Sequence, residues 1–214
     1  MQIDIVFGIM VLIFSIVLHE VAHGYMANWL GDPTAKLQGR LTLNPLNHID
    51  PVGSILLPGL LLLTHAPILI GYAKPVPYNP YNLRGKYGEG LVAFAGPGTN
   101  ILIAIIFGLL IRFSSAQLGP DLISAFAIIA YVNMLLAVFN LIPVPPLDGS
   151  KVLATLLGML HPSLERGYDT FRLNFERLGI LSGTLLILVF FYFLAPYFSS
   201  FLFRLFSLLT GVAF

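Results

Sequence analysis

The sequence predicts an all-α polytopic membrane protein: a transmembrane helix bundle with a short β element and a re-entrant segment near its functional site. Three observations lead there. Hydrophobic residues make up 57% of the 214 and charged residues only 10%, against about 25% charged in a soluble protein. Several uncharged runs are long enough to cross a hydrocarbon core of roughly 30 Å. The charges gather instead between those runs, in Asp32 to Asp50, Lys74 to Glu89 and Lys151 to Arg177. A formal net charge of +1 gives no sign of nucleic-acid binding, and the absence of cysteine excludes disulfides, thiolate ligands and cysteine nucleophiles.

The first element is a helix from about Ile3 to about Leu30, long enough to span. Its start carries Asp4 rather than a basic region, and its apolar run has no small-residue cleavage site, so it reads as a membrane helix and not a signal peptide. Leu37 to Leu43 alternates as Leu-Gln-Gly-Arg-Leu-Thr-Leu, a weak strand signal. Val52 to Gly71 is apolar but broken by Pro58, Gly59 and Pro67, which suits a re-entrant segment covered by protein or lining a cavity. Leu91 to Ile111, Leu122 to Ile142 and Leu178 to Ala195 are uncharged spans. Tyr197 to Phe214 follows Pro196 and contains Arg204, so it either spans or lies in the interface. The basic connections are expected inside, and the link Ser114 to Asp121, without Lys or Arg, outside with the N-terminus. The whole of 1–214 reads as one membrane-embedded domain, with a core over about 3–160 and C-terminal membrane segments over about 178–214.

Within the first helix, the 14-residue uncharged run Ile5 to Leu18 leads straight into His19-Glu20-Val21-Ala22-His23. Ionisable groups at membrane depth are costly, which marks a functional site. Residues four apart share a helix face, so His19 and His23 can present two imidazoles to one metal ion, and Glu20 is placed to act as a general base. A catalytic zinc takes a third protein ligand. The inner ends of the first helix and of the Leu122 helix fall at the same depth, and just past the second comes Asn140-Leu-Ile-Pro-Val-Pro-Pro-Leu-Asp148-Gly149. Asp148 reads locally either as an N-cap for Ser150 to Leu160 or as that ligand; the depth match favours the ligand. His48 and His65 read as neighbours of the site or interfacial groups, and His161 as a surface residue.

On these residues the chain resembles the site-2 protease family of intramembrane zinc metalloproteases. The resemblance rests on His19 to His23, on Gly96-Pro97-Gly98-Thr99-Asn100 early in a membrane helix, and on Asn140 to Gly149, in that order. With no room for an inserted PDZ-type domain, it is closest to the compact prokaryotic branch, which also carries Asn44 to Pro51 and Gly71 to Pro77. The resemblance implies one Zn2+ per chain on His19, His23 and Asp148, with Glu20 as general base. It implies hydrolysis of a peptide bond within or beside a transmembrane helix of another membrane protein. The compactness shared with that branch points to a prokaryotic cell membrane, and the inward placement of the basic connections puts the active site near its cytoplasmic side. Asn140 and Asn100 are candidates for substrate or oxyanion contacts. Their plainer roles are satisfying freed backbone groups ahead of Pro143 and packing helices, respectively.

Two other classes fit the same residues less well. A membrane metal transporter would carry polar sites through both halves of its helices, and here the outer halves have none. A pseudoprotease that binds helices without cutting them would have no need to keep Glu20. Nothing in the residues marks an oligomeric state.

Overall fold

The computed structural model describes residues 2–56, 63, 73–114, 117–179, 183 and 189–212. Seven α-helices are described: α1 (Gln2–Trp29), α2 (Thr34–Leu37), α3 (Gly88–Ser114), α4 (Pro120–Asn140), α5 (Asp148–Leu160), α6 (Pro162–Glu176) and α7 (Ala195–Thr210). Among the described residues, four stretches are long and apolar enough to cross a membrane: Ile5–Trp29, Gly88–Ser114, Pro120–Asn140 and Tyr192–Thr210. The last places Tyr197 onward in a spanning-length helix. Of the expected span Leu178 to Ala195, residues 180–182 and 184–188 lie outside the described residues.

Local chemistry sets the helix ends. α3 opens with Glu89 in its first turn and closes with Arg112 in its last, each matching the sign of the helix dipole there. α4 starts with Pro120 at its first position and stops at Asn140, ahead of Pro143. The His161 side chain caps α6 by accepting from the Ser163 amide, and α7 ends on Gly211 at φ +75°, a left-handed conformation that glycine adopts freely.

α3 is the centre of the bundle and packs against α1, α4, α5 and α7. Close approach is made possible by small residues: Ala93, Gly96, Ala104 and Gly108 on α3, Ala130 and Ala137 on α4, all buried. A Cβ on Gly108 would overlap the Leu209 side chain, so glycine there lets α7 seat against α3. Ala104, Ala130, Met134, Leu202 and Phe206 form the apolar core between α3, α4 and α7. Ile5, Ile9, Phe14 and Phe113 point outward and exposed, as a lipid-facing surface requires.

The expected short strand is not seen among the described residues. Leu37 closes α2, Gly39 turns at φ +64°, and residues 40–44 have no strand partner among the described residues. Alternation supplies only the side-chain pattern of a strand, and a ladder also needs a neighbour to bond to. Of the expected re-entrant segment, Pro51–Leu56 forms a π-helical turn, and most of the remainder lies outside the described residues.

Candidate metal centre

On α1, Ser15, His19, His23 and Ala27 recur at four-residue steps and are all buried, forming the face that meets α3 and α4. His19 lies ten residues before the end of α1, about 15 Å along its axis. Its Nδ1 donates to Asn100 Oδ1 on α3 at 2.6 Å. His23 Nδ1 donates to the Val92 carbonyl at 2.7 Å. Val92 precedes Ala93, whose carbonyl loses its usual helical partner because Pro97 has no N–H.

These two bonds decide the chemistry. With hydrogen on both Nδ1 atoms, each neutral ring turns a bare Nε2 lone pair inward, and the two Nε2 atoms are 3.1 Å apart. Asp148 Oδ2 completes the triangle at 3.1 Å from His19 Nε2 and 3.3 Å from His23 Nε2. Three acceptors facing one another repel unless a cation sits among them. Tetrahedral zinc with bonds of about 2.05 Å sets its donors about 3.3 Å apart, so the triangle has the size that such an ion needs. Room for the rings comes from Gly96: a Cβ there would overlap Nε2 of His23 and lie 2.7 Å from Cε1 of His19.

Asp148 reaches the site from the first turn of α5, after the turn containing Pro143, Pro145 and Pro146. A carboxylate there also suits the positive end of the helix dipole. Gly149 is fixed by close backbone approach, since a Cβ would overlap the carbonyls of Leu141 and Ile142. The Tyr168 hydroxyl on α6 donates to the Pro143 carbonyl at 2.7 Å, bracing the same turn.

Glu20 faces a strap, residues 73–79, that lies against α1 without forming a helix of its own. The Val76 amide donates to Glu20 Oε2 at 2.9 Å, and one turn further on, Gly24 leaves space for the Val76 and Leu41 side chains. The strap is tied at several points. Arg40 Nη2 donates to the Lys74 carbonyl at 2.8 Å, the Lys74 amide donates to the His48 carbonyl at 2.8 Å, and Lys151 Nζ donates to the Tyr78 hydroxyl at 2.9 Å. Burial alone would lower Lys151, but Tyr78, Glu89 and Asp148 outweigh it and hold the ammonium above the usual lysine range. Beyond the end of α1, buried Asp32 accepts from the Asn79 amide at 2.7 Å, Asn82 Nδ2 at 2.8 Å and Thr34 Oγ1 at 2.6 Å. Burial would raise its carboxyl, yet these bonds prevail and hold it below the ordinary carboxylate range.

The structure thus brings His19, His23 and Asp148 together, with Asn100 against His19. Asn140 Nδ2 donates to Leu136 of its own helix at 2.9 Å. His48 is buried with Nε2 donating to the Thr42 carbonyl at 2.9 Å, and His161 is exposed at the start of α6. His65 lies outside the described residues.

The comparisons with known proteins agree with this geometry. Residues 113–171, which include Asn140 and Asp148, match the family described as Peptidase family M50. The chain is 39% identical over 161 residues to the Bacillus subtilis (strain 168) protein named "Putative zinc metalloprotease YwhC", covering 70% of this chain and 68% of that protein. The chain belongs to peptidase family M50, the site-2 protease family. It is also 30% identical over 152 residues to "Putative zinc metalloprotease Rip2" of Mycolicibacterium smegmatis (strain ATCC 700084 / mc(2)155), covering 71% of this chain and 55% of that one. With "Zinc metalloprotease MJ0392" of Methanocaldococcus jannaschii (strain ATCC 43067 / DSM 2661 / JAL-1 / JCM 10045 / NBRC 100440) it shares 26% identity over 155 residues, 72% of this chain and 35% of the other. The matched region thus spans just over two thirds of the first relative and about half of the second. No solved structure matches. Family membership and the four apolar spans make this M50 chain an integral membrane protein.

Sequence reasoning did not single out Ser15, Asn133, Asp32 or the Val76 amide. For Asn133 a signal existed, since a carboxamide in the middle of an uncharged span needs a partner. For the Val76 amide there was none, because any residue but proline carries one.

Proposed function

We propose that this chain is an intramembrane zinc metalloprotease that hydrolyses a peptide bond within or next to a transmembrane helix of a membrane-protein substrate. The observation that carries the reading is the triangle of three inward acceptors, His19 Nε2, His23 Nε2 and Asp148 Oδ2, set 3.1 to 3.3 Å apart. Glu20 is beside it in sequence. One Zn2+ per chain would be held by these three residues. When bound, it supplies Lewis acidity, polarising the scissile carbonyl and acidifying water. Glu20 takes the proton from the attacking water and passes it to the departing amine. The Val76 amide already engages Oε2, which leaves Oε1 as the proton acceptor.

Substrate must lose helical structure before attack, because the backbone of an intact helix is hydrogen-bonded and closed. Residues 40–44, which lie outside any helix, are proposed to pair with such an unwound segment. Asn140, at the end of α4 ahead of the proline turn, is proposed to contact substrate. Asn100, its amide already engaged inside the bundle, acts through His19. The reaction is placed near the cytoplasmic side of a prokaryotic cell membrane. Lys and Arg gather around the connections at that end of the bundle, and a site there shortens the path of water.

The test is cleavage of a panel of tagged single-span helices by purified protein, with zinc content measured alongside. Wild type should cut and hold about one zinc per chain, and Glu20→Gln should hold zinc without cutting. Wild type without stoichiometric zinc would overturn the reading.

A further inference from the structure

Three buried polar groups that are not among the proposed ligands lie beside the metal centre inside the bundle. Ser15, Asn100 and Asn133 come from three different spanning helices and are 4%, 0% and 1% exposed. Asn133 Nδ2 donates to the Ile129 carbonyl of its own helix and to Ser15 Oγ, each at 2.9 Å. Both of its amide hydrogens are spent, so its Oδ1 faces α3, where Asn100 Nδ2 donates to it at 2.8 Å. Asn100 Nδ2 also lies 3.4 Å from the Ser15 carbonyl. That leaves Asn100 Oδ1 turned towards His19 Nδ1 at 2.6 Å. Neither carboxamide can rotate. Turning Asn100 over would set oxygen against oxygen at Asn133 and an NH2 against the imidazole. The two tautomers of His19 are otherwise of similar energy, and only the one with hydrogen on Nδ1 offers the Nε2 lone pair to a metal.

We propose that Asn100 is a positioning residue for the metal centre, its orientation fixed by Asn133 and Ser15: it holds His19 as the Nδ1–H tautomer and aims the Nε2 lone pair at the ion. This rests on the zinc-dependent reading above. Polar pairing between helices needs only that donors meet acceptors. A role confined to packing would not require that the last acceptor of the chain face a ligand histidine.

The experiment uses the full chain in detergent, stripped of metal, in two measurements. Zinc is titrated against a chromogenic chelator, and the histidine ring nitrogens are read by 15N NMR before metal is added. Asn100→Leu should lower zinc affinity about 10–100-fold and Asn133→Leu about tenfold. In both, the His19 signal should move from the pure Nδ1–H form towards a mixture. Asn100→Asp, which keeps an acceptor towards His19, should retain more affinity than Asn100→Leu. Met134→Ala, in the adjoining core, should lower thermal stability and leave zinc affinity unchanged. If Asn100→Leu does not fold, Asn133→Leu and Asn100→Asp carry the same comparison. Wild-type affinity with an unchanged tautomer in a folded leucine variant would overturn the proposal, as would an equal affinity loss in Met134→Ala. Wild type that binds no zinc would refute the zinc-dependent reading instead, and the metal-free NMR comparison would still decide the role of Asn100.

Discussion

Gly96→Ala is the most discriminating single change, because two effects of opposite sign meet in one methyl group. In a helix interior, glycine to alanine ordinarily stabilises by about 1 kcal/mol. Here the new Cβ would lie 2.6 Å from Cε1 of His23 and 2.7 Å from Cε1 of His19. Carbon atoms in good contact sit about 3.5–4.0 Å apart, so both rings must withdraw by about 1 Å. Neither is free to do so, since His19 is tied to Asn100 at 2.6 Å and His23 to the Val92 carbonyl at 2.7 Å. A retreat of that size takes Nε2 out of range of a bond of about 2.05 Å. Misplacement by about 1 Å at a reacting centre is worth about 100-fold, or about 2.7 kcal/mol, and that is the expected loss in zinc affinity. Gly98→Ala is the control, as its Cβ would meet only the Phe94 ring, nearest at 3.2 Å. The assay is a chelator competition for zinc, run beside thermal unfolding in detergent. Gly96→Ala should lose zinc while Gly98→Ala keeps it. A Gly96→Ala protein with wild-type affinity would refute the account of why this glycine stands between the two histidines.

Glu20→Gln keeps an acceptor for the Val76 amide and should retain zinc while cleavage falls by about 10²–10⁴-fold; cleavage at the wild-type rate would remove Glu20 as the proton acceptor. Asp32→Ala strands the Asn79 amide, Asn82 Nδ2 and the Thr34 hydroxyl, and should cost about 3 kcal/mol in thermal or denaturant unfolding, with an unchanged midpoint counting against the clasp. The same carboxyl gives a pH dependence. Its folded pKa is held below the ordinary aspartate value, so its stabilisation is complete above about pH 4 and is lost as pH falls through the lower folded value. Wild type should therefore lose thermal stability on acidification below about pH 4 more steeply than Asp32→Asn, and equal slopes would exclude Asp32 as the source.

How much of this was legible follows from which interactions have a fixed period. His19 and His23 could be paired from the sequence because a helix returns to the same face every four residues, and Asp148 because counting along two spans puts their inner ends at one depth. Asn133 is inside a run that reads simply as a span. Its role depends on which face of α4 meets Ser15 and Asn100, and only the packing of three helices decides that. Gly96 and Gly149 were visible as letters of motifs, but the reasons for them are tertiary: one makes room for two rings, the other for two carbonyls of the preceding turn. The alternation of Leu37 to Leu43 carried no information about a partner strand, and the structure spends those residues on a helix end, a turn and a stretch with no strand partner among the described residues. In hydrocarbon, every polar side chain needs a partner, and the sequence tells which side chains are in that position without telling whom they meet. The same Asn100 reads as helix glue or as an oxyanion donor until Asn133 is seen holding its amide nitrogen; its oxygen is then committed to His19, and a residue with two plausible roles has its orientation set by a neighbour on another helix.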